Sequence, residues 1–255
     1  MRINKVKQGL REGKVQLGTG FQQFRSQDVV RVLAAAGLDW AFLDAEHGGF
    51  DGETLQDLCR ISGFVGFTPI VRVASLEYDL IARALDAGAM GVIFPRVEDP
   101  KLLEDTVAWT KFPPVGIRGC GLTPLHIDFE PASIAQICTH FNEQCMNVLQ
   151  IETVRAFEAR EELLSVKHID AVMVGPVDLS ISLGVPGQFD HPKMVDTMEK
   201  IIESCQKHGV APGTQTRALP MAKFWRQKGM LFLGCGSEVS MLYDRASEIA
   251  KELRG

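Results

Sequence analysis

The side chains best suited to chemistry in this sequence stand at the ends of short apolar runs. In LQIET, residues 149–153, Gln150 and Glu152 are two positions apart. On a strand that spacing points both to one face, opposite Leu149 and Ile151. If the aliphatic pair faces covering helices, the polar pair faces inward, and a buried carboxylate there needs a partner. Asp178, in GPVDLSISLG at 175–184, is a second carboxylate following the next apolar run. Two carboxylates plus water make an oxygen-rich, incomplete cage suited to Mg²⁺ or Mn²⁺ and open to a chelating substrate. The competing expectation pairs Glu152 with Arg72 or Arg118 and makes Asp178 the N-cap of a short helix at Leu179.

Asp44, Glu46 and His47 form an acid and imidazole cluster in LDAEHG, residues 43–48. A carboxylate three residues before the His can orient the ring and raise its basicity toward neutral pH. Arg72 sits in TPIVRVAS among apolar residues. A guanidinium there either balances nearby carboxylates or binds an anionic substrate group and a developing oxyanion. A divalent cation, an inward Arg and a His base together suggest chemistry on a 2-oxo acid through an enolate. Lysine Schiff-base chemistry is not expected, because Lys111, Lys167 and Lys223 read as loop or helix residues.

The elements that must hold these groups follow one repeated pattern: an amphipathic stretch, a Gly, then a β-rich run. It appears in LAAAGLDWAFLDAEHGG, ALDAGAMGVIFPRVE, CQKHGVAPGTQT and FWRQKGMLFLGCGSE. Gly supplies the left-handed cap that turns a helix toward the next strand. Eight strands are expected, at 15–20, 40–44, 68–73, 91–95, 146–151, 171–174, 210–214 and 230–234. Helices are expected between most of them, at 27–36, 54–62, 77–87, 99–110, 154–165, 192–207, 218–228 and 238–253. Eight parallel strands alternating with helices close into a (β/α)₈ TIM barrel, here a single domain over residues 1–255. An open doubly wound sheet would call for a phosphate-binding Gly fingerprint after the first strand, and LGTGFQQF has the wrong spacing. The segment KFPPVGIRGCGLTPLHIDFE, 111–130, has three Pro and three Gly with no period. It reads as a functional loop, an interface element or a plain surface excursion.

Composition limits the alternatives. The chain has 255 residues, 45% hydrophobic and 23% charged, with 27 basic and 32 acidic side chains. A net charge of −5 without any dense Lys/Arg run argues against nucleic acid or an anionic membrane as partner. The opening residues carry basic side chains with no apolar segment behind them, and no run reaches the ~20 residues that span a bilayer. Six Cys without a CxxC pair read as reduced thiols in a cytoplasmic protein.

LDAEHG, PIVRV at 69–73, LDAGAMGVIFPRV at 85–97, FPPVGIRG at 112–119, LQIET and GPVDLSISLG together resemble the HpcH/HpaI class of metal-dependent pyruvate aldolases, which cleave 4-hydroxy-2-oxo acids. The strings run in family order over nearly the whole chain. The resemblance implies that Glu152 and Asp178 hold Mg²⁺, Mn²⁺ or Co²⁺ and that Gln150 contacts the 2-oxo acid. It implies that His47 is the base and that Arg72 stabilises the enolate; Asp44 joins the catalytic group on the local reading, as the acid three residues before the His. Backbone around Gly175, Val177 and Asp178 would receive the pyruvyl carboxylate. Asp86 of LDAGA, locally an ordinary helix-end acid, would raise the basicity of the His from a neighbouring subunit, in a trimer or hexamer whose site lies near a subunit interface. GTGF at 18–21 and GTQT at 213–216 depart from relatives and would line the aldehyde side. Alternatives are a barrel lyase acting on an acyl-CoA, a 2-oxo acid decarboxylase and a catalytically silent scaffold.

Overall fold

A computed structural model describes all residues from Met1 to Gly255. In chain order the elements are α1 (Lys5–Arg11), β1 (Gln16–Phe21), α2 (Gln27–Ala35), β2 (Trp40–Asp44), α3 (Gly52–Phe64), β3 (Thr68–Arg72) and α4 (Tyr78–Asp86). There follow β4 (Gly91–Phe94), α5 (Pro100–Trp109), a 3₁₀ turn (Pro124–Ile127), α6 (Ile134–Gln144), β5 (Met146–Ile151), α7 (Val154–Glu158) and α8 (Arg160–Ser165). The chain ends with β6 (Ala171–Val174), α9 (Pro176–Ser182), α10 (Pro192–His208), β7 (Gly213–Thr216), α11 (Leu219–Gln227), β8 (Phe232–Ser237) and α12 (Glu238–Arg254). The eight strands are parallel and close in sequential order, so the fold is a (β/α)₈ barrel.

Strand alternation divides the apolar residues into two cores. Outward residues such as Ala41, Leu43, Val71, Leu149, Ile151 and Val174 join helix residues in a 42-residue cluster between sheet and helices. Inward residues, among them Trp40, Phe42, Ile70, Ile93, Val148, Met173 and Phe232, fill the barrel with α1 residues Val6 and Leu10. The interior is therefore plugged by side chains and closed by α1 at its N-terminal end, and the C-terminal strand ends are left to carry function. Trp40 stacks on Phe232 with ring centroids 4.0 Å apart. Space for that indole comes from glycine: a Cβ on Gly18 would fall within the Trp40 ring system, and one on Gly234 would come 3.2 Å from it.

Element boundaries differ from expectation where helix caps consume strand residues. β7 begins at Gly213 rather than 210, because Val210 N–H bonds the Cys205 carbonyl in the cap of α10 and Pro212 has no N–H for a ladder. β8 likewise begins at Phe232, since Met230 N–H bonds Trp225 O behind the left-handed Gly229. Two helices went unforeseen. α1 is a short plug, and α6, opened by a Ser133/Gln136 capping box, carries Ile134, Ile137, Cys138 and Phe141 at helical spacing but follows directly on the irregular 111–130 segment. The expected 154–165 helix is broken at Ala159 into α7 and α8.

Gly18→Ala should lower stability by about 1–3 kcal/mol through overpacking against Trp40. Urea unfolding checks this: an unchanged midpoint would mean that the barrel interior has slack the packing does not show.

Candidate active site

β2 and β3 pair in register, with Asp44 beside Arg72 and both facing inward at the C-terminal rim. The Arg72 guanidinium grips the Asp44 carboxylate with two hydrogen bonds, Nε to Oδ1 at 3.0 Å and Nη2 to Oδ2 at 2.7 Å. Asp44 also accepts from the Gln22 side-chain amide and from the backbone N–H groups of Glu46 and His47. Burial alone would raise the Asp44 carboxyl pKa, but the hydrogen bonds and charge of Arg72, with His47 N–H and Gln22, outweigh it and hold Asp44 below the usual range. Arg72 Nη1 lies 3.1 Å from Glu46 Oε2. Its remaining N–H groups stay available to a ligand.

One expected role changes here. Asp44 does not orient the His47 ring; it serves Arg72 and anchors the His47 backbone. The ring is 68% exposed and its Nε2 lies 3.8 Å from Glu46 Oε1, so the carboxylate beside the imidazole is Glu46. Glu46 stood in the same string, but which of two acids in DAEH meets the ring depends on how the chain turns after β2.

Strand parity works as expected at β5. Gln150 and Glu152 are 2% and 3% exposed and lie on the inward side of the strand that also carries Val148. Gln150 Nε2 donates to Glu152 Oε2. Neither expected ion pair of Glu152 forms: Arg72 is held by Asp44, and Arg118 Nη2 pairs with Asp86 Oδ1 at 2.7 Å. Burial pushes the Glu152 carboxyl above its usual range, and the charges of Asp178 and Glu46 push it further, against the Gln150 amide and Arg72. Asp178 is in the first turn of α9 and is not its N-cap; Gly175 is, followed by Pro176. A Cβ on Gly175 would sit 2.8 Å from Glu152 Oε2, so the chain passes over the carboxylate only because it is glycine there.

His47, Arg72, Gln150, Gly175, Val177 and Asp178 line one side of a cavity of about 470 Å³ at the barrel mouth. Phe42 and Met173 form its floor, and Gln215, Arg217 and Ser237 wall the other side. Gln150 Oε1 is buried without a partner. No cluster of three His, Cys, Asp or Glu side chains stands at metal-ligand spacing, so Glu152 and Asp178 would be the protein's carboxylate share of a cation site. Their fit to a hard divalent ion rests on Glu152 itself, a buried carboxylate without an ion pair whose protonation the charges of Asp178 and Glu46 favour.

Asp86 does not join this group within the chain. It ends α4, bonds Arg118, and its backbone carbonyl lies 2.7 Å from His126 Nε2, which places His126 away from the cavity as well. Lysine is absent from the site: the buried Lys7 and Lys111 both donate to the Cys145 carbonyl beside the N-terminal end of β5. Sequence reasoning missed Glu238. Its Oε1 accepts from the backbone N–H groups of Gln22, Gln23 and Phe24, which fixes the loop that delivers Gln22 to Asp44. Nothing local marks an acid in the first turn of a helix for such a task.

Residues 20–244 match the family model described as HpcH/HpaI aldolase/citrate lyase. The chain belongs to that family. Among characterised relatives, it is 29% identical over 254 residues to the hydroxypyruvate/pyruvate aldolase of Pseudomonas aeruginosa, covering 99% of this chain and 94% of the relative. It is 30% identical to the 4-hydroxy-2-oxo-heptane-1,7-dioate aldolase of Salmonella paratyphi C, covering 97% and 93%. The crystal structure of an HpcH/HpaI aldolase from Desulfitobacterium hafniense superposes with a TM-score of 0.92 at 31% identity, covering 97% and 96%. This HpcH/HpaI family member is a lyase.

A carboxyl with a raised folded-state pKa binds protons more readily in the folded than in the unfolded chain. Its unfavourable contribution is absent below the ordinary carboxylate range and appears as pH rises through the raised value. In chelator-treated protein, Glu152→Gln should therefore raise Tm at pH 7, about 2–4 °C for each kcal/mol of relieved strain, with the gain vanishing near about pH 4. Equal Tm values at pH 7 would show that Glu152 carries no such burden.

Proposed function

We propose that this lyase reversibly cleaves a 4-hydroxy-2-oxo acid to pyruvate and an aldehyde through the pyruvate enolate, using Mg²⁺, Mn²⁺ or Co²⁺. The observation that carries this reading is the buried, cation-less Glu152 beside Asp178, on the same rim as the clamped Arg72. The relatives' names as 2-oxo acid aldolases support it.

Glu152 and Asp178 would hold the cation, which when bound supplies Lewis-acid polarisation of the 2-oxo group. The Val177 and Asp178 N–H groups, in the first turn of α9, have no carbonyl behind them in the helix and would take the substrate carboxylate. Gln150 Oε1 is free to accept from a hydroxyl or water at the cavity wall. His47 takes the proton from the C4 hydroxyl, directly or through a water. The C3–C4 bonding pair then moves into the C2–C3 bond as the aldehyde departs, and the negative charge gathers on the 2-oxo oxygen. Arg72 lies at that rim with unused N–H groups, pre-oriented by Asp44, so it need not reorganise as the charge develops. Protonation at C3 completes pyruvate.

The oligomer belongs to the same proposal. Asp86 can reach a His47 only on another copy of the chain. Along the 17-residue α12 only Glu238 is buried, whereas Leu242, Tyr243 and Leu253 are 60–83% exposed. An apolar face of that kind marks a contact between chains, which supports a trimer or hexamer with sites near its interfaces. No helix is long and apolar enough to cross a membrane. The six unpaired cysteines suit a cytoplasmic enzyme.

The test is pyruvate alone in D₂O with divalent cation. NMR should show the methyl signal fading with the wild type, more than about 100-fold more slowly with Glu152→Gln or Asp178→Asn, and clearly more slowly with Arg72→Ala. His47→Ala should lose about 10²–10⁴-fold in aldol cleavage while retaining cation-dependent pyruvate binding. A folded wild type that exchanges no methyl hydrogen with any of the three cations overturns the reading. Reaction only with a CoA thioester would move the protein to the acyl-CoA lyases.

A further inference from the structure

At the end of the barrel away from the mouth, the residues just before β4 and β5, Ala87–Met90 and Cys145, border a second, smaller cavity of about 60 Å³. A water takes about 30 Å³ in the liquid, so the space suits two waters or one ligand of three or four heavy atoms. Leu85, Leu125 and Phe141 give it an apolar side. Its charges are of one sign: Arg2, Arg60 and Arg118 line it, and no Asp or Glu does. Two buried ammonium groups, Lys7 and Lys111, meet the carbonyl of Cys145 and add to the positive field.

The three guanidinium groups differ in what holds them. Arg2 is taken up by Asp128, through hydrogen bonds of 3.0 and 2.7 Å, and lies over the Phe64 ring. Arg118 is buried; its Nη2 donates to Asp86, but its Nε has no acceptor. Arg60 is half-buried and forms no hydrogen bond or ion pair with the rest of the chain. A buried N–H without an acceptor is costly, and an unpaired cation on the same cavity adds repulsion that an anion would reverse. The two histidines do not answer this need. His126 Nε2 lies 2.7 Å from the Asp86 carbonyl while its Nδ1 accepts from the Thr123 N–H, and His140 Nε2 lies 2.8 Å from the Arg2 carbonyl.

We propose that this cavity binds a small monocarboxylate of acetate size, whose oxygens accept from Arg118 Nε and from Arg60 and whose short carbon body meets the apolar side. Guanidinium groups suit a planar carboxylate, since donors and oxygens match in geometry as well as in charge. A spherical ion such as chloride would answer the charge and leave the apolar side unfilled. Arg118 also holds Asp86, so the ligand and the Asp86 carboxylate compete for one guanidinium, and occupancy of the cavity loosens the Asp86 pair. The site needs neither a divalent cation nor a 2-oxo acid, and it stands apart from the aldolase reading of the barrel mouth.

The experiment titrates chelator-treated protein, whose barrel mouth then has no divalent cation to hold a carboxylate, with acetate labelled with ¹³C at the carboxyl carbon. Binding is read as broadening of the acetate signal. One saturable site should appear with a Kd of about 0.1–10 mM, weaker than the ceiling for a ligand of four heavy atoms. Arg60→Gln should weaken binding at least about tenfold. Asp86→Asn should tighten it about two- to fivefold, because Arg118 loses the competing carboxylate. Acetamide, the neutral isostere, should not displace the label. No saturable binding, a Kd indifferent to Arg60→Gln, or displacement by acetamide as effective as by unlabelled acetate overturns the proposal. Displacement by chloride at matched concentration marks an adventitious ion only and overturns it as well. An Asp86→Asn variant that binds no tighter removes Arg118 from the site.

Discussion

The Asp44–Arg72 pair, closed by two hydrogen bonds across adjacent strands, decides the electrostatics of the whole barrel mouth. Because Asp44 holds the Arg72 guanidinium, Glu152 is left buried near Asp178 and Glu46 with no ion pair of its own, and the charge of Arg72 only partly offsets theirs. A buried ion pair contributes little net stability once desolvation is counted. Its consequence here is the charge it leaves unbalanced, together with the fixed direction it gives Arg72. Supporting contacts run outward from the pair: Gln22 and the turn at Glu46–His47 bond Asp44, and Glu238 fixes the loop that carries Gln22. Through these contacts the loops after β1, β2 and β8 share one network.

The two ends of the barrel divide the labour. At the N-terminal end α1 plugs the interior, and two buried ammonium groups satisfy the carbonyls where α6 meets β5. Such carbonyls have no partner within the helix and accept cations readily. The buried lysines are thus part of the packing, Lys7 with Asp170 as its counter-charge and Lys111 held by carbonyls alone.

Much of this was legible in the sequence where one strand suffices to decide the matter. Alternation along LQIET places Gln150 and Glu152 inward whatever the neighbouring strands do, and the apolar runs at 40–44, 68–72 and 171–174 keep nearly their expected bounds. Pairing between elements was not legible. That Asp44 meets Arg72 follows from the β2–β3 register, and that Arg118 turns to Asp86 instead of Glu152 follows from the path of the 111–130 segment. The starts of β7 and β8 slipped because Val210 and Met230 look like strand residues but serve as helix caps. Glu238 and Gln22 could be found only once the barrel had closed β8 onto β1.

In the proposed site, Glu152 and Asp178 leave a charge deficit that one divalent cation would fill. Titration of cation-free protein with Mn²⁺, followed by the loss of the free-ion electron paramagnetic resonance signal, tests it without reference to turnover. One Mn²⁺ per chain is expected to bind, with affinity falling at least about tenfold in Glu152→Gln and in Asp178→Asn and unchanged in Glu161→Gln on the outer helical layer. Equal Mn²⁺ binding by the wild type and both rim variants would contradict it.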